Sequence, residues 1–191
     1  MPRFNEFLSG PIVPRARRIC LIGARGVGKS SLIRAALPRL GNWVHVIGSD
    51  ILTKLLPEGT KMSDLSTAEQ VNLRQQAALE MMKIDLTGRT GLLCEGHCAL
   101  SFESSKRFEE IFTPADDALF TEIIEFILPP DEILRRRMRD LSKHRPHDLE
   151  AIRAEMEAEH IAALHVCLRT GATLTTLGAD DLPSLLRILQ S

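Results

Sequence analysis

Between a short apolar run and a helix-forming run, the chain carries Gly23-Ala24-Arg25-Gly26-Val27-Gly28-Lys29-Ser30, which fits G-x-x-x-x-G-K-[ST]. Residues of these types at this spacing bind phosphate. The glycines let backbone N–H groups turn inward around phosphate oxygens, and the next helix adds the positive end of its dipole. Lys29 would reach the β- and γ-phosphates of a nucleotide, and the Ser30 hydroxyl would bind Mg²⁺. Gly23, Arg25, Gly26, Val27, Gly28, Lys29, Ser30 and Ser31 are therefore the candidate nucleotide-binding residues.

Two further groups could act on that phosphate. Glu95 closes the apolar run Leu92-Leu93-Cys94. A carboxylate at a strand end can hold the Mg²⁺ shell. It can also serve as a general base on an acceptor hydroxyl or a water. His97, two residues on, could orient Glu95 or touch an acceptor. The second group is basic: six Arg and Lys residues fall between Arg135 and Arg145. Guanidinium forks suit the equatorial oxygens of a transferring phosphoryl group.

The elements that must position these residues alternate. Arg18 to Ile22 reads as a buried strand, and Ser31 to Leu37 as a helix. Trp43 to Ile47 is a second strand, with a short helix from about Ile51 to Leu56. Ser66-Thr67-Ala68-Glu69 is a capping box opening a helix to about Leu86. Leu92 to Cys94 is the third strand and Thr121 to Leu128 the fourth. A basic helix runs from Asp131 to about Ser142. Asp148 caps the next helix, whose Leu149, Ile152, Met156, Ala163 and Cys167 form an apolar stripe. Gly171 to Thr176 is the fifth strand, and Leu182 to Leu189 the last helix. Strands separated by helices imply a five-stranded parallel sheet covered on both faces. Residues 1–17 read as an arm, with Phe4, Phe7 and Leu8 as docking residues, and 18–191 as one domain.

Composition narrows the classes. The 191 residues carry a net charge of −1 and are 44% hydrophobic. Bulk charge therefore does not point to nucleic acid or to an anionic membrane. No apolar run approaches the roughly 20 residues of a membrane span, and the N-terminus lacks the apolar stretch of a secretory signal. The four cysteines form no disulfide framework, and Cys94, His97 and Cys98 lack a second ligand cluster for zinc. The expectation is structural thiols and a cytoplasmic location. A switch GTPase is excluded by the lack of an N/T-K-x-D base-reading motif. Asp85-Leu86-Thr87-Gly88 matches D-x-x-G but ends a helix.

Several segments together resemble the adenylate kinases, most closely their small archaeal-type branch. The resemblance spans roughly Arg18 to Leu189. Beside the phosphate loop it rests on Gly48-Ser49-Asp50-Ile51, Leu73-Arg74-Gln75-Gln76-Ala77-Ala78, Glu95-Gly96-His97 where the branch has D-T-H, Asp131 to Asp140, and Thr170-Gly171-Ala172-Thr173. It implies a three-layer α/β/α P-loop NTPase fold with a small mobile lid, about 140–148, and an acceptor region, about 49–87. It implies ATP and Mg²⁺ as cofactors. Asp50 and Arg74 would lie in the acceptor pocket, and Arg136, Arg139 and Arg145 would close over the donor phosphates.

The departures bear on the acceptor. Where the branch has an Asn-Arg pair, this chain has Glu159-His160, and the lid's R-x-R-D becomes Lys143-His144-Arg145-Pro146-His147-Asp148. Glu159 would repel an acceptor phosphate, while His160 would face it. The sequence thus reads as an ATP-dependent phosphotransferase acting on a nucleotide or small-molecule acceptor. The alternative is a P-loop NTPase that regulates a protein partner. Action on RNA ends is disfavoured by the near-neutral charge. An oligomer is compatible with the sequence, but no interface signature is visible in it.

Overall fold

The computed structural model describes residues 16–101, 107–140, 145–179 and 181–191. Phe4, Phe7 and Leu8 of the arm, and Lys143 and His144 of the lid, lie outside the described residues.

Along β1 (Arg17–Ile22), Ile19 and Leu21 point to one face and Cys20 and Ile22 to the other, and all four are buried. A strand buried on both faces belongs in a parallel sheet with helices on each side. After β1 come α1 (Lys29–Ala36), β2 (Trp43–Ile47), α2 (Gly48–Leu55) and α3 (Thr67–Met82). They lead to β3 (Gly91–Glu95), the short strands β4 (Ala99–Ser101) and β5 (Phe108–Glu110), and α4 (Pro114–Leu119). The remainder is β6 (Glu122–Phe126), α5 (Pro130–Arg139), α6 (Leu149–Thr170), β7 (Thr173–Leu177) and α7 (Leu182–Gln190).

Five strands form one parallel sheet in the order β2-β3-β1-β6-β7. One face packs Ile19, Leu21, Leu93 and Ile124 against Ile33 of α1, Ile133 of α5, Ile152 of α6 and Leu185 of α7. The other packs Cys20, Ile22, Leu92 and Ile123 against Ala78 and Met81 of α3 and Ala163 and Val166 of α6. This is the expected three-layer P-loop fold.

Local chemistry sets the element ends. Ser66 caps α3 through a reciprocal box, its N–H donating to Glu69 at 2.8 Å. The helix stops at Met82, short of the expected Leu86. Just beyond, Asp85 Oδ1 draws in the Thr87 N–H at 2.9 Å and Oγ1 at 2.7 Å, a local turn that competes with helix. Asp148 caps α6 as expected, accepting from Ala151 N at 2.9 Å. Pro130 supplies the first residue of α5, where a missing N–H costs nothing. The antiparallel β4–β5 pair and α4 were not anticipated. They fill the stretch between β3 and β6, with β4 lying against α6. Among the described residues no helix is long and apolar enough to cross a membrane.

The parallel register sets the site. Leu21 lies level with Glu95, and Gly96 N–H donates to Leu21 O at 3.0 Å, so the end of β3 emerges beside the loop that leaves β1. At the other end of β3, Gly91 pairs with both Arg17 and Trp43. A Cβ there would sit 2.4 Å from the Arg17 carbonyl oxygen and 2.9 Å from the Trp43 ring. Gly91→Ala is thus expected to force strands apart and to cost about 1–3 kcal/mol in denaturant unfolding. An unchanged midpoint would show that the three strands shift freely.

Candidate active site

The P-loop lies between β1 and α1. At Gly23 φ is +138°, and a Cβ would lie 2.4 Å from the Phe126 carbonyl oxygen, so only glycine fits this exit from the sheet. No side chain caps α1, which leaves the first-turn N–H groups of Lys29, Ser30 and Ser31 to an anion. Arg25, Gly26, Gly28, Lys29, Ser30 and Ser31 all line one cavity of about 860 Å³. Val27 is instead buried in the core, and Gly23 lies under the loop, where its carbonyl accepts from Lys29 Nζ at 2.5 Å. Burial pushes the Lys29 ammonium below its usual range, while the carboxylates of Glu159, Glu95 and Glu155 pull it back up.

Ser30 Oγ donates to Glu95 Oε1 at 2.5 Å. The other carboxylate oxygen, Oε2, is buried and has no hydrogen-bond partner. An unspent buried oxygen is costly unless something positive completes it. A hydroxyl and a carboxylate side by side, with one oxygen to spare, suit Mg²⁺, which takes few protein ligands and fills its shell with water and phosphate. Among the described residues no group of three or more His, Cys, Asp and Glu is placed to hold a metal ion, and Mg²⁺ needs none.

His97 does not orient Glu95. Its Nε2 lies 3.4 Å from Lys29 Nζ, and its Nδ1 is bonded to Glu159 Oε1. A carboxylate only accepts, so Nδ1 carries the proton and Nε2 keeps a lone pair toward the cavity. Burial, and then the Lys29 ammonium, push the His97 pKa down against the pull of Glu159 and Glu155, which keeps the ring neutral near pH 7.

The expected role of Glu159-His160 needs correction. Glu159 is fully buried and accepts from Cys98 N at 2.7 Å and Ala99 N at 3.1 Å as well as from His97. Its charge is spent on the chain that leaves β3, not on an acceptor phosphate. His160 points about 100° round the helix from it. There Nδ1 meets Glu125 Oε2 at 2.7 Å, on the wall of a separate cavity of about 200 Å³. His160 is therefore not on the wall of the main cavity.

The arginines divide likewise. Arg74, Arg136 and Arg145 line the main cavity. Arg136 donates to Val27 O at 2.6 Å and to Glu132 at 2.8 Å, and Arg145 pairs with Asp140 at 3.3 Å. Arg139 is exposed and off the cavity wall, and so is Asp50, although its neighbour Ser49 is on the wall. The residue that sequence reasoning missed is Arg137, which is 0% exposed. It donates to Glu155 Oε2 at 2.8 Å, to Arg25 O at 2.9 Å and to Pro146 O at 3.1 Å. Glu155 also takes the Arg25 N–H at 2.6 Å and its guanidinium at 3.1 Å. Burial alone would raise the Glu155 pKa, but these partners hold it below the usual range. The signal was present: Arg137 falls four residues after buried Ile133, and Glu155 three after buried Ile152.

The AAA domain family matches residues 22–153, more than two thirds of the chain. The chain belongs to that family. The matched span holds the P-loop, Glu95, His97, Arg136 and Arg145, and ends within α6 just before Glu155 and Glu159. No curated protein matches the sequence. Among solved structures, a chain of the Pnkp1/Rnl/Hen1 RNA repair complex shares the fold, with TM-score 0.53 and 17% identity over 82% of this chain. This AAA domain spans about half (49%) of that chain's length.

The Arg25–Glu155–Arg137 network predicts a stability effect. Glu155→Ala leaves two arginines without their carboxylate, one of them fully buried. It is expected to cost about 3–5 kcal/mol in denaturant unfolding. A loss smaller than about 0.5 kcal/mol would show that the network does not hold the loop.

Proposed function

We propose that this AAA domain is a P-loop phosphotransferase, moving the γ-phosphoryl group of ATP-Mg²⁺ to a nucleotide or small-molecule acceptor. The observation that carries this reading is the cavity itself. It begins at Lys29, Ser30 and Glu95 and continues past His97 to α2, α3 and α4, leaving room for a second molecule next to the phosphates. A protein that only senses nucleotide has no need of that second wall.

In this reading the P-loop N–H groups and Lys29 bind the triphosphate, with Lys29 exchanging the Gly23 carbonyl for phosphate oxygens. Ser30 and Glu95 hold Mg²⁺, which when bound neutralises charge on the phosphates. Arg136 and Arg145, flanking the loop, add guanidinium donors where charge develops. His97 Nε2, fixed by Glu159, accepts a hydrogen bond from the acceptor and orients its attacking oxygen. Catalysis is then mostly positioning and charge neutralisation, as phosphoryl transfer requires.

Two substitutions test the site. Lys29→Ala should lower ATP turnover, followed as ADP release with acceptor mixtures, at least about a hundredfold while the chain still folds by circular dichroism. Glu95→Gln keeps the shape and removes the charge. Turnover should fall on the order of tenfold or more, and the Mg²⁺ concentration needed for half-maximal rate should rise. If the lysine variant keeps full turnover, the P-loop is not the seat of the reaction. If the glutamine variant keeps both its rate and its Mg²⁺ dependence, the metal is held without Glu95.

A further inference from the structure

The far end of the cavity differs in character from the P-loop end. Its wall is formed by Met81, Leu100, Ile111, Phe112 and Phe120, with the two phenyl rings 5.8 Å apart. Two charged side chains interrupt this apolar wall. Arg74 of α3 is buried, and Asp116 of α4 sits in the same lining. Thr113 N and Oγ1 both donate to Asp116 Oδ2, at 2.8 and 2.7 Å, so the carboxylate is held in place. Burial lowers the Arg74 pKa, and the Asp116 carboxylate partly opposes that, while burial raises the pKa of Asp116 itself against its bonds from Thr113.

Such a wall is a poor site for a phosphate monoester. A phosphate carries close to two negative charges and calls for several cations. Among the described residues lining the cavity, Arg25, Lys29, Arg136 and Arg145 belong to the P-loop end. At the far end the described lining carries one cation, Arg74, and the Asp116 carboxylate in the same lining opposes an anion. The same wall suits a flat apolar body, which removes rings from water. A guanidinium next to a carboxylate also matches an edge that presents both an acceptor and a donor, as an amide or a nucleobase does.

We propose that the acceptor is a non-phosphorylated alcohol of the nucleoside class. Its ring lies against Phe112 and Phe120, its polar edge meets Arg74 and Asp116, and its hydroxyl points toward His97 and the P-loop. This rests on the phosphotransferase reading above. In the transfer the hydroxyl oxygen forms a bond to the γ-phosphorus of ATP and the bond from that phosphorus to the β,γ-bridging oxygen breaks. The products are a nucleoside monophosphate, ADP and the released hydroxyl proton.

The test uses the full chain with ATP-Mg²⁺ and three sets of acceptors: ribonucleosides, their 5′-monophosphates, and a short RNA with a 5′-hydroxyl. Products are resolved by mass spectrometry. Nucleosides should be converted with kcat/KM at least about tenfold above that for monophosphates, the size expected when a like charge is placed in a desolvated site. Asp116→Asn keeps the side-chain shape and removes the charge, and should narrow that ratio about tenfold. Phe112→Ala should raise KM for the nucleoside more than it lowers kcat. Preferential conversion of monophosphates to diphosphates, or of the RNA end alone, would overturn the nucleoside assignment and leave the phosphotransferase reading standing. Lys29-dependent ATP hydrolysis with no transfer to any acceptor would overturn both.

Discussion

A carboxylate taken out of water must find cationic or N–H partners, or the fold loses several kcal/mol. Two such carboxylates, Glu155 and Glu159, stand one helical turn apart on the buried face of α6. Meeting their need arranges most of the site. Glu155 gathers the Arg25 backbone and side chain together with Arg137, which ties the P-loop to α5. Arg137 in turn reaches the carbonyls of Arg25 and Pro146, so the segment entering α6 is fastened to the same point. Glu159 gathers His97 and the N–H groups of Cys98 and Ala99, which fixes the chain leaving β3. One helix thereby holds the phosphate loop and the chain leaving β3 in register.

The same carboxylates set the charge at Lys29. Its ammonium is buried, and burial alone favours losing the proton. Glu159, Glu95 and Glu155 supply enough negative potential to oppose that loss. The lysine is thus held ready for phosphate by carboxylates that do not themselves touch it. His97 is balanced the other way. Burial and Lys29 keep it neutral, while Glu159 fixes which nitrogen carries the proton. A cation and a neutral acceptor therefore sit side by side, the lysine charge favoured by the buried glutamates and the neutral ring by burial and Lys29.

What the sequence revealed was what lies close together along the chain. Lys29 and Ser30 follow the glycines of one loop, and Glu95 closes a strand whose apolar run is plain. The parallel register then carries Glu95 to Ser30 with no further information needed. Three differences between sequence and structure share one cause. Arg137 against Arg139, Glu159 against His160 and Ser49 against Asp50 are each a question of helical phase, and a step of one or two residues turns a side chain by 100° or 200°. Aligning a family pattern finds the helix and the turn but leaves that rotation open. The β4–β5 pair and α4 were missed for a different reason. Strands of three residues and a helix of six are too short to show a period.

The departure from the adenylate-kinase pattern at Glu159-His160 takes on a new meaning in this light. Read as a lost phosphate contact, it would weaken an acceptor site that is otherwise intact. In the fold, position 160 faces Glu125 of β6 and is cut off from the main cavity by the body of α6. A longer cation at that position would still meet Glu125 before anything else. Position 159 is where the helix touches the site, and there the chain has placed an anion and completed it with His97 and two backbone donors. Position 159 thus offers an acceptor phosphate no cation. Among the described residues lining the cavity, the cations other than Arg74 are grouped around the P-loop, where the donor's own phosphates need them. The chemistry left to the far wall is recognition of an apolar body through Phe112 and Phe120, edged by the Arg74 guanidinium and the Asp116 carboxylate.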